Sequence, residues 1–146
     1  MLHIFFMIVI PSILLADPQG FVTHLAEAPT KTHGSGTQVQ FLASPKLHSN
    51  ENLFVSRLVI PANGSVPEHR DPTEEYLYIL SGDGTIWING LRKRVIRGDT
   101  VFMPAQAKVK FVAGGSPVEV LQIFAPSGPE KKYEGWKGLE KKASPK

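Results

Sequence analysis

The 146-residue chain contains no cysteine. That excludes disulfide scaffolds, Cys-ligated zinc or iron–sulfur centres, and thiol nucleophiles. Over most of its length it also lacks an excess of either charge. The formal net charge is +3, and residues 130–146, with six Lys against three Glu, account for all of it. Residues 1–129 balance ten Lys and Arg against ten Asp and Glu. A nucleic-acid binder should show a basic face with a readable motif. Here there is only Arg92, Lys93 and Arg94 with Arg97 nearby, which reads as a solvated hairpin. No nucleic-acid partner is expected. A sustained helical period is also missing. Between residues 38 and 124 no stretch of about ten residues keeps one without a breaker.

No apolar run is long enough to cross a bilayer comfortably. The run over residues 4–15 is interrupted by Pro11 and Ser12. Its length suits the hydrophobic region of a signal peptide. Residues 1–16 are therefore expected to be a signal peptide cleaved after Ala16, giving a periplasmic or secreted protein without a stable membrane anchor. Two features weaken the match: no Lys or Arg precedes the run, and Leu14 is large for the position two before the cut. An uncleaved anchor or a first strand is the alternative. With no Cys after the run, lipid attachment of the lipoprotein type is excluded.

Turn formers are plentiful, with 12 Pro and 13 Gly. Residues 17–36 are polar and read as an extended N-terminal arm. Strand-like runs then follow at 38–42, 53–60, 75–80, 85–89, 92–96, 100–103, 108–112 and 118–124, separated by turn signals. Asn89-Gly90 is a strong hairpin signal, because a two-residue primed turn needs positive φ at both positions. Gly82 and Gly84 suit a further tight turn. About eight strands without intervening helices imply an all-β sandwich, jelly roll or barrel. The expected domain is a single barrel over 37–129. A basic extension follows over 130–146, including a short helix or strap at 131–139 anchored by Tyr133 and Trp136. Residues 141–146 read as a disordered end.

Chemistry concentrates in residues 64–82. His69 and Asp71 are two apart and point the same way on an extended chain. Glu75 rejoins that face after the bend at Pro72 and Thr73. On the next strand Glu75, Leu77 and Ile79 share one face, and Tyr76, Tyr78 and Leu80 the other. A carboxylate opening an apolar face is costly unless it is paired or bound to a metal. Pairing with Arg57 or Arg70 is the bland expectation for Glu74 or Glu75.

These residues resemble the cupin family. Its first motif runs Gly, five residues, His-x-His, three or four residues, Glu, six residues, Gly. His69, Glu75 and Gly82 match it, Gly64 is one residue too close, and Asp71 replaces the second His. The second motif runs Gly, five residues, Pro-x-Gly, two residues, His, three residues, Asn. Gly98 and Pro104 match its first half, while Gln106, Val109 and Ala113 replace its Gly, His and Asn. The resemblance covers about residues 53–125 and implies a cupin-type jelly-roll β-barrel, commonly a homodimer. In metal-binding cupins two His and a Glu of the first motif and one His of the second hold the ion. Carried over, the set is His69, Asp71 and Glu75, since Val109 offers no ligand atom. One nitrogen and two oxygen donors favour Mn²⁺ or Fe²⁺ over Zn²⁺ or Ni²⁺.

The expected function is binding of a divalent metal and a small molecule inside the barrel, with oxygenase or isomerase chemistry open. The alternative is a non-catalytic, metal-free module that captures a sugar or aromatic ligand. A third reading is a purely structural protein whose pocket is filled by Phe102, Val109 and Phe111. Trp87 and Phe102 read as core or pocket wall. Gln122 reads either as a polar pocket residue or as solvent-facing. His24, His33 and His48 read as solvated.

Overall fold

The computed structural model describes residues 20–48 and 52–139. The expectations for residues 1–16 and 141–146 lie outside the described residues. The described residues form eleven strands: β1 (Thr30–Thr32), β2 (Gln38–Ala43), β3 (Phe54–Ile60), β4 (Ser65–His69), β5 (Glu74–Ser81), β6 (Asp83–Ile88), β7 (Leu91–Ile96), β8 (Thr100–Met103), β9 (Val109–Ala113), β10 (Val118–Ala125) and β11 (Lys137–Gly138). Among the described residues helical structure is confined to one turn, α1 (Pro45–His48), and a 3₁₀ segment (Pro129–Tyr133). No helix among the described residues is long and apolar enough to cross a membrane.

The strands make two antiparallel sheets, ordered β11-β1-β2-β3-β10-β5-β8 and β4-β9-β6-β7. The all-β jelly roll expected from the sequence is therefore what the chain adopts. Alternation decides the faces. In β3 residues Phe54, Ser56, Leu58 and Ile60 are buried, and in β10 Val118, Val120, Gln122 and Phe124 are buried. Their neighbours along each strand are more exposed, which is the period-two pattern of a half-buried sheet. Glu75, Leu77 and Ile79 point inward from β5, as read from the sequence. An aromatic cluster closes one end of the core. Phe54 meets Phe41 edge-on at 5.1 Å and packs against Phe124 at 6.0 Å and Tyr133 at 6.2 Å.

Asn89 and Gly90 join β6 to β7 with φ of 48° and 85°, the two positive angles a primed turn requires. Gly84 differs from its sequence reading. It lies within β6 rather than in a turn, and a Cβ there would fall 2.4 Å from Phe111 Cζ. The glycine is needed for close packing, not for conformation.

Two of the strand-like readings carry corrections in their side chains. Phe102 is 46% exposed and lies against Tyr76, with ring centroids 5.1 Å apart, so it is neither core nor pocket wall. Trp87 faces outward from β6, with Lys110 Nζ 5.2 Å and Arg92 Cζ 5.8 Å from its ring.

The chain beyond β10 crosses back over the barrel as a strap. β11 pairs with β1, placing Lys31 opposite Gly138 and Thr32 opposite Lys137. Tyr133 is buried, and Trp136 packs on it at 4.8 Å. Lys31 Nζ donates to the carbonyls of Glu134 and Trp136, both at 3.3 Å. The strap is therefore held from Tyr133 to Gly138, directly after Lys131 and Lys132.

Candidate metal and ligand site

The two sheets enclose a cavity of about 490 Å³. Its walls are mostly apolar, with Leu58, Ile60, Leu77, Ile86, Val109 and Phe111 prominent. Val109 and Phe111 line this space without filling it, and Phe102 is outside it, so the filled-pocket reading is overturned.

Polar groups converge at one part of the cavity. β4 ends at His69, a short loop carries Asp71, and β5 begins with Glu74 and Glu75. β4 is an edge strand, and its pairing with β9 is irregular between Val66 and His69. Pro67 sits in that irregular stretch, where a missing N–H is tolerated. The bend brings ligand atoms of His69, Asp71 and Glu75 within 4.8 Å of one another.

Each of the three has a distinct environment. The carbonyl of Pro67, which can only accept, lies 2.9 Å from His69 Nδ1, so in the neutral ring the proton sits on Nδ1, and Nε2 donates to Asp71 only when the ring is protonated. Nε2 lies 3.4 Å from Asp71 Oδ2. The link to Asp71 raises the His69 pKa, against burial, which lowers it. Burial alone would push the Asp71 carboxyl up. Hydrogen bonds from His69 and Lys132 outweigh that, so it lies below the ordinary range.

Glu75 is 6% exposed, and burial holds its pKa above the ordinary carboxyl value. No arginine pairs with it. Arg57 is engaged with Glu119 at 2.6 Å and Gln40 at 2.6 Å, and Arg70 donates to the Gln106 carbonyl. Gln122 Nε2 instead donates to Glu75 Oε1 at 2.6 Å. Gln122 Oε1 accepts from Ser56 Oγ at 2.9 Å and Tyr133 Oη at 3.0 Å. Gln122 stands directly opposite Ser56 in the β10–β3 ladder, which sets this row across the inner sheet face. The two-way reading of Gln122 thus resolves to the buried one. Burial pushes the Tyr133 phenol far up, so it remains a donor at any ordinary pH.

The residue that sequence reasoning missed is Lys132. Its Nζ donates to both Asp71 oxygens, at 3.0 and 2.8 Å. It lies 4.8 Å from the Phe124 ring centroid and 5.6 Å from that of Tyr133. In the sequence it was one of six lysines in a basic tail. The usable signal was its place directly before the anchor Tyr133.

The second-motif positions are also informative. Gln106 keeps the positive φ, 64°, that a glycine would adopt there. Its N–H donates to the Asp71 carbonyl at 2.7 Å, so this turn braces the His69–Asp71 loop. Val109 is paired with His69 across the β4–β9 ladder. His24 and His33 are exposed, His48 stacks on Phe21 at 3.5 Å, and none of the three borders the cavity.

The donor set suits a divalent cation. It offers one imidazole nitrogen and two carboxylates, with Pro67 and Gln122 orienting two of the three from outside, as ligand-supporting residues do. Two antiparallel sheets around an apolar cavity with such a cluster define a jelly-roll barrel with a candidate metal site inside it. Residues 56–124 match the sequence model of the cupin domain, which together with the shared fold supports the cupin family for this chain. Its fold is shared with an RmlC-like cupin from Shewanella frigidimarina, 16% identical, with a TM-score of 0.68 over 77% of this chain and 96% of that one. It is also similar to a predicted oxalate decarboxylase from Thermotoga maritima, 21% identical, TM-score 0.63, over 73% and 100%. The polyketide cyclase RemF from Streptomyces resistomycificus is 19% identical, TM-score 0.66, over 76% and 82%. At these identities the likeness concerns the fold.

Proposed function

We propose that the barrel binds one divalent metal ion through His69 Nε2, Asp71 and Glu75, with a small molecule in the apolar cavity beside it. The observation that carries this reading is the convergence of the three donors within 4.8 Å at the cavity's polar part. Two oxygens and one nitrogen favour Mn²⁺ or Fe²⁺ over Zn²⁺ or Ni²⁺. A bound ion would supply Lewis acidity toward a ligand oxygen, as isomerase chemistry needs, and a redox-active ion would be needed for oxygenase chemistry. The chain's own groups orient the donors, exclude water with apolar walls and hold protons at His69 Nδ1 and Tyr133 Oη. Elemental mass spectrometry of untagged protein tests this reading. About one transition metal per chain, lost in His69→Ala, supports it. Absence of metal after incubation with each ion sinks it.

A second reading is favoured by Lys132. Its ammonium already compensates the Asp71 charge, so the same cavity can operate as a metal-free binding module. Ligand binding unchanged in His69→Ala would select this alternative.

The protein is further proposed to be an exported homodimer. Export rests on the apolar sequence of residues 1–16, and N-terminal sequencing of the mature chain tests it. The dimer rests on the outer face of the larger sheet, where Tyr78, Leu80 and Phe102 are exposed together. Sedimentation should give a dimer that Tyr78→Lys converts to monomer. A monomeric wild type excludes it.

A further inference from the structure

The cavity is strongly two-sided in character. Its interior is formed by aliphatic and aromatic side chains of both sheets, Leu58, Ile60, Leu77, Ile86, Val109 and Phe111 among them. Such walls give a hydroxyl-rich ligand few partners, and each polar group buried there unpaired is penalised. Its volume of about 490 Å³ falls within the range of roughly 300–1,000 Å³ that encloses drug-sized ligands.

The border of the cavity is cationic. Arg70, Lys131 and Lys132 border it, against two carboxylates, Asp71 and Glu75, while a fourth lining residue, Lys110, carries its ammonium over the outward-facing Trp87 ring. Glu75 is turned into the buried row with Gln122, leaving Asp71 as the carboxylate that meets a lysine. Lys132 is the best placed of the four cations. The aromatic rings of Phe124 and Tyr133 flank it, and its side chain keeps 34% of its exposure, so a ligand can reach the ammonium. Three N–H donors sit on that nitrogen, and Asp71 takes two of its contacts.

We infer that the barrel selects an amphipathic anion: a ligand with an apolar body in the cavity and one carboxylate head at Lys132. This deepens the small-molecule reading above and rests on it. In this arrangement Lys132 determines specificity, and the strap that carries it is part of the binding site. The sugar ligand named among the sequence alternatives is disfavoured by the apolar walls.

A series with similar alkyl chains and different head groups tests the inference on the full chain, by calorimetric titration of octanoate, octan-1-ol and octylammonium. Wild type should bind octanoate about tenfold more tightly than octanol, and the cation least. Lys132→Met should remove the preference for octanoate, with an unchanged circular dichroism spectrum and melting temperature showing that the barrel and strap remain folded. Lys132→Arg should restore the preference. Octanol bound as tightly as octanoate, or a preference that survives Lys132→Met, overturns the inference while the small-molecule reading stands. Failure of all three compounds to bind overturns the inference and counts against the small-molecule reading. The metal reading is judged separately by metal content.

Discussion

Lys132 donates to both carboxylate oxygens of Asp71 across a separation of 61 residues, and so places a fixed cation among the three candidate metal ligands. Its charge also acts on His69 and Glu75. A divalent ion binding at Asp71 must therefore displace this ammonium or share the carboxylate with it.

Competition of this kind has a measurable sign. Lys132→Met should tighten Mn²⁺ binding by about tenfold, since it frees Asp71 and removes a like charge, an effect moderated by the partial exposure of the pair. Titration of both proteins under the same conditions reads it directly. Equal or weaker binding in the variant would mean that Lys132 is displaced without cost or supports the metal.

Gln122 ties β10 to β3 through Ser56, to β5 through Glu75 and to the 3₁₀ segment through Tyr133. Gln122→Leu would leave a carboxyl and two hydroxyls without these partners in a buried place. The expected loss is about 2–4 kcal/mol, measured by chemical denaturation. A loss below about 0.5 kcal/mol, the level of an ordinary surface change, would show that this row is not a structural support.

Glu75 supplies the pH dependence. Burial raises its folded pKa above 4.5. The stability contribution of such a group is complete below the unfolded value and is lost as pH rises through the folded value. Glu75→Gln keeps the acceptor for Gln122 and cannot ionise. It should match wild type near pH 4 and exceed it in thermal stability at pH 8. Metal-free protein must be used, because a bound cation would reverse the comparison. A variant less stable at pH 8 would contradict the assigned environment.

Val109 faces His69 across the β4–β9 ladder. Side chains directly opposite in an antiparallel pair lie on the same face. Val109→His should therefore add a fourth ligand and tighten Mn²⁺ or Zn²⁺ binding by about tenfold or more. Unchanged affinity would place the candidate centre away from this ladder.

Much of this arrangement was legible in the sequence, for local reasons. Alternation along β5 specified its faces and Asn89-Gly90 its hairpin, whereas the faces of β10 stayed open because Gln122 suits either side until its buried partners are seen. β4 was missed because Pro67, Glu68 and His69 interrupt a β-rich pattern, and the edge position that tolerates them is a tertiary fact. β1 and β11 were missed because three and two residues are too short to show a period. His69, Asp71 and Glu75 were found by spacing, since they lie within seven consecutive residues. Lys132 and Ser56 reach the site only through folding, over 61 residues to Asp71 and 66 to Gln122. The outward turn of Phe102 followed from strand register, which apolar character alone does not reveal.

The most direct measurement is a titration of metal-free wild type with Mn²⁺, followed by loss of the free-ion electron paramagnetic resonance signal, beside His69→Ala. The account predicts one Mn²⁺ bound per chain in the wild type and none in the variant. Free Mn²⁺ rising in proportion to the amount added in both proteins, or equal binding in both, would contradict a metal centre at His69, Asp71 and Glu75.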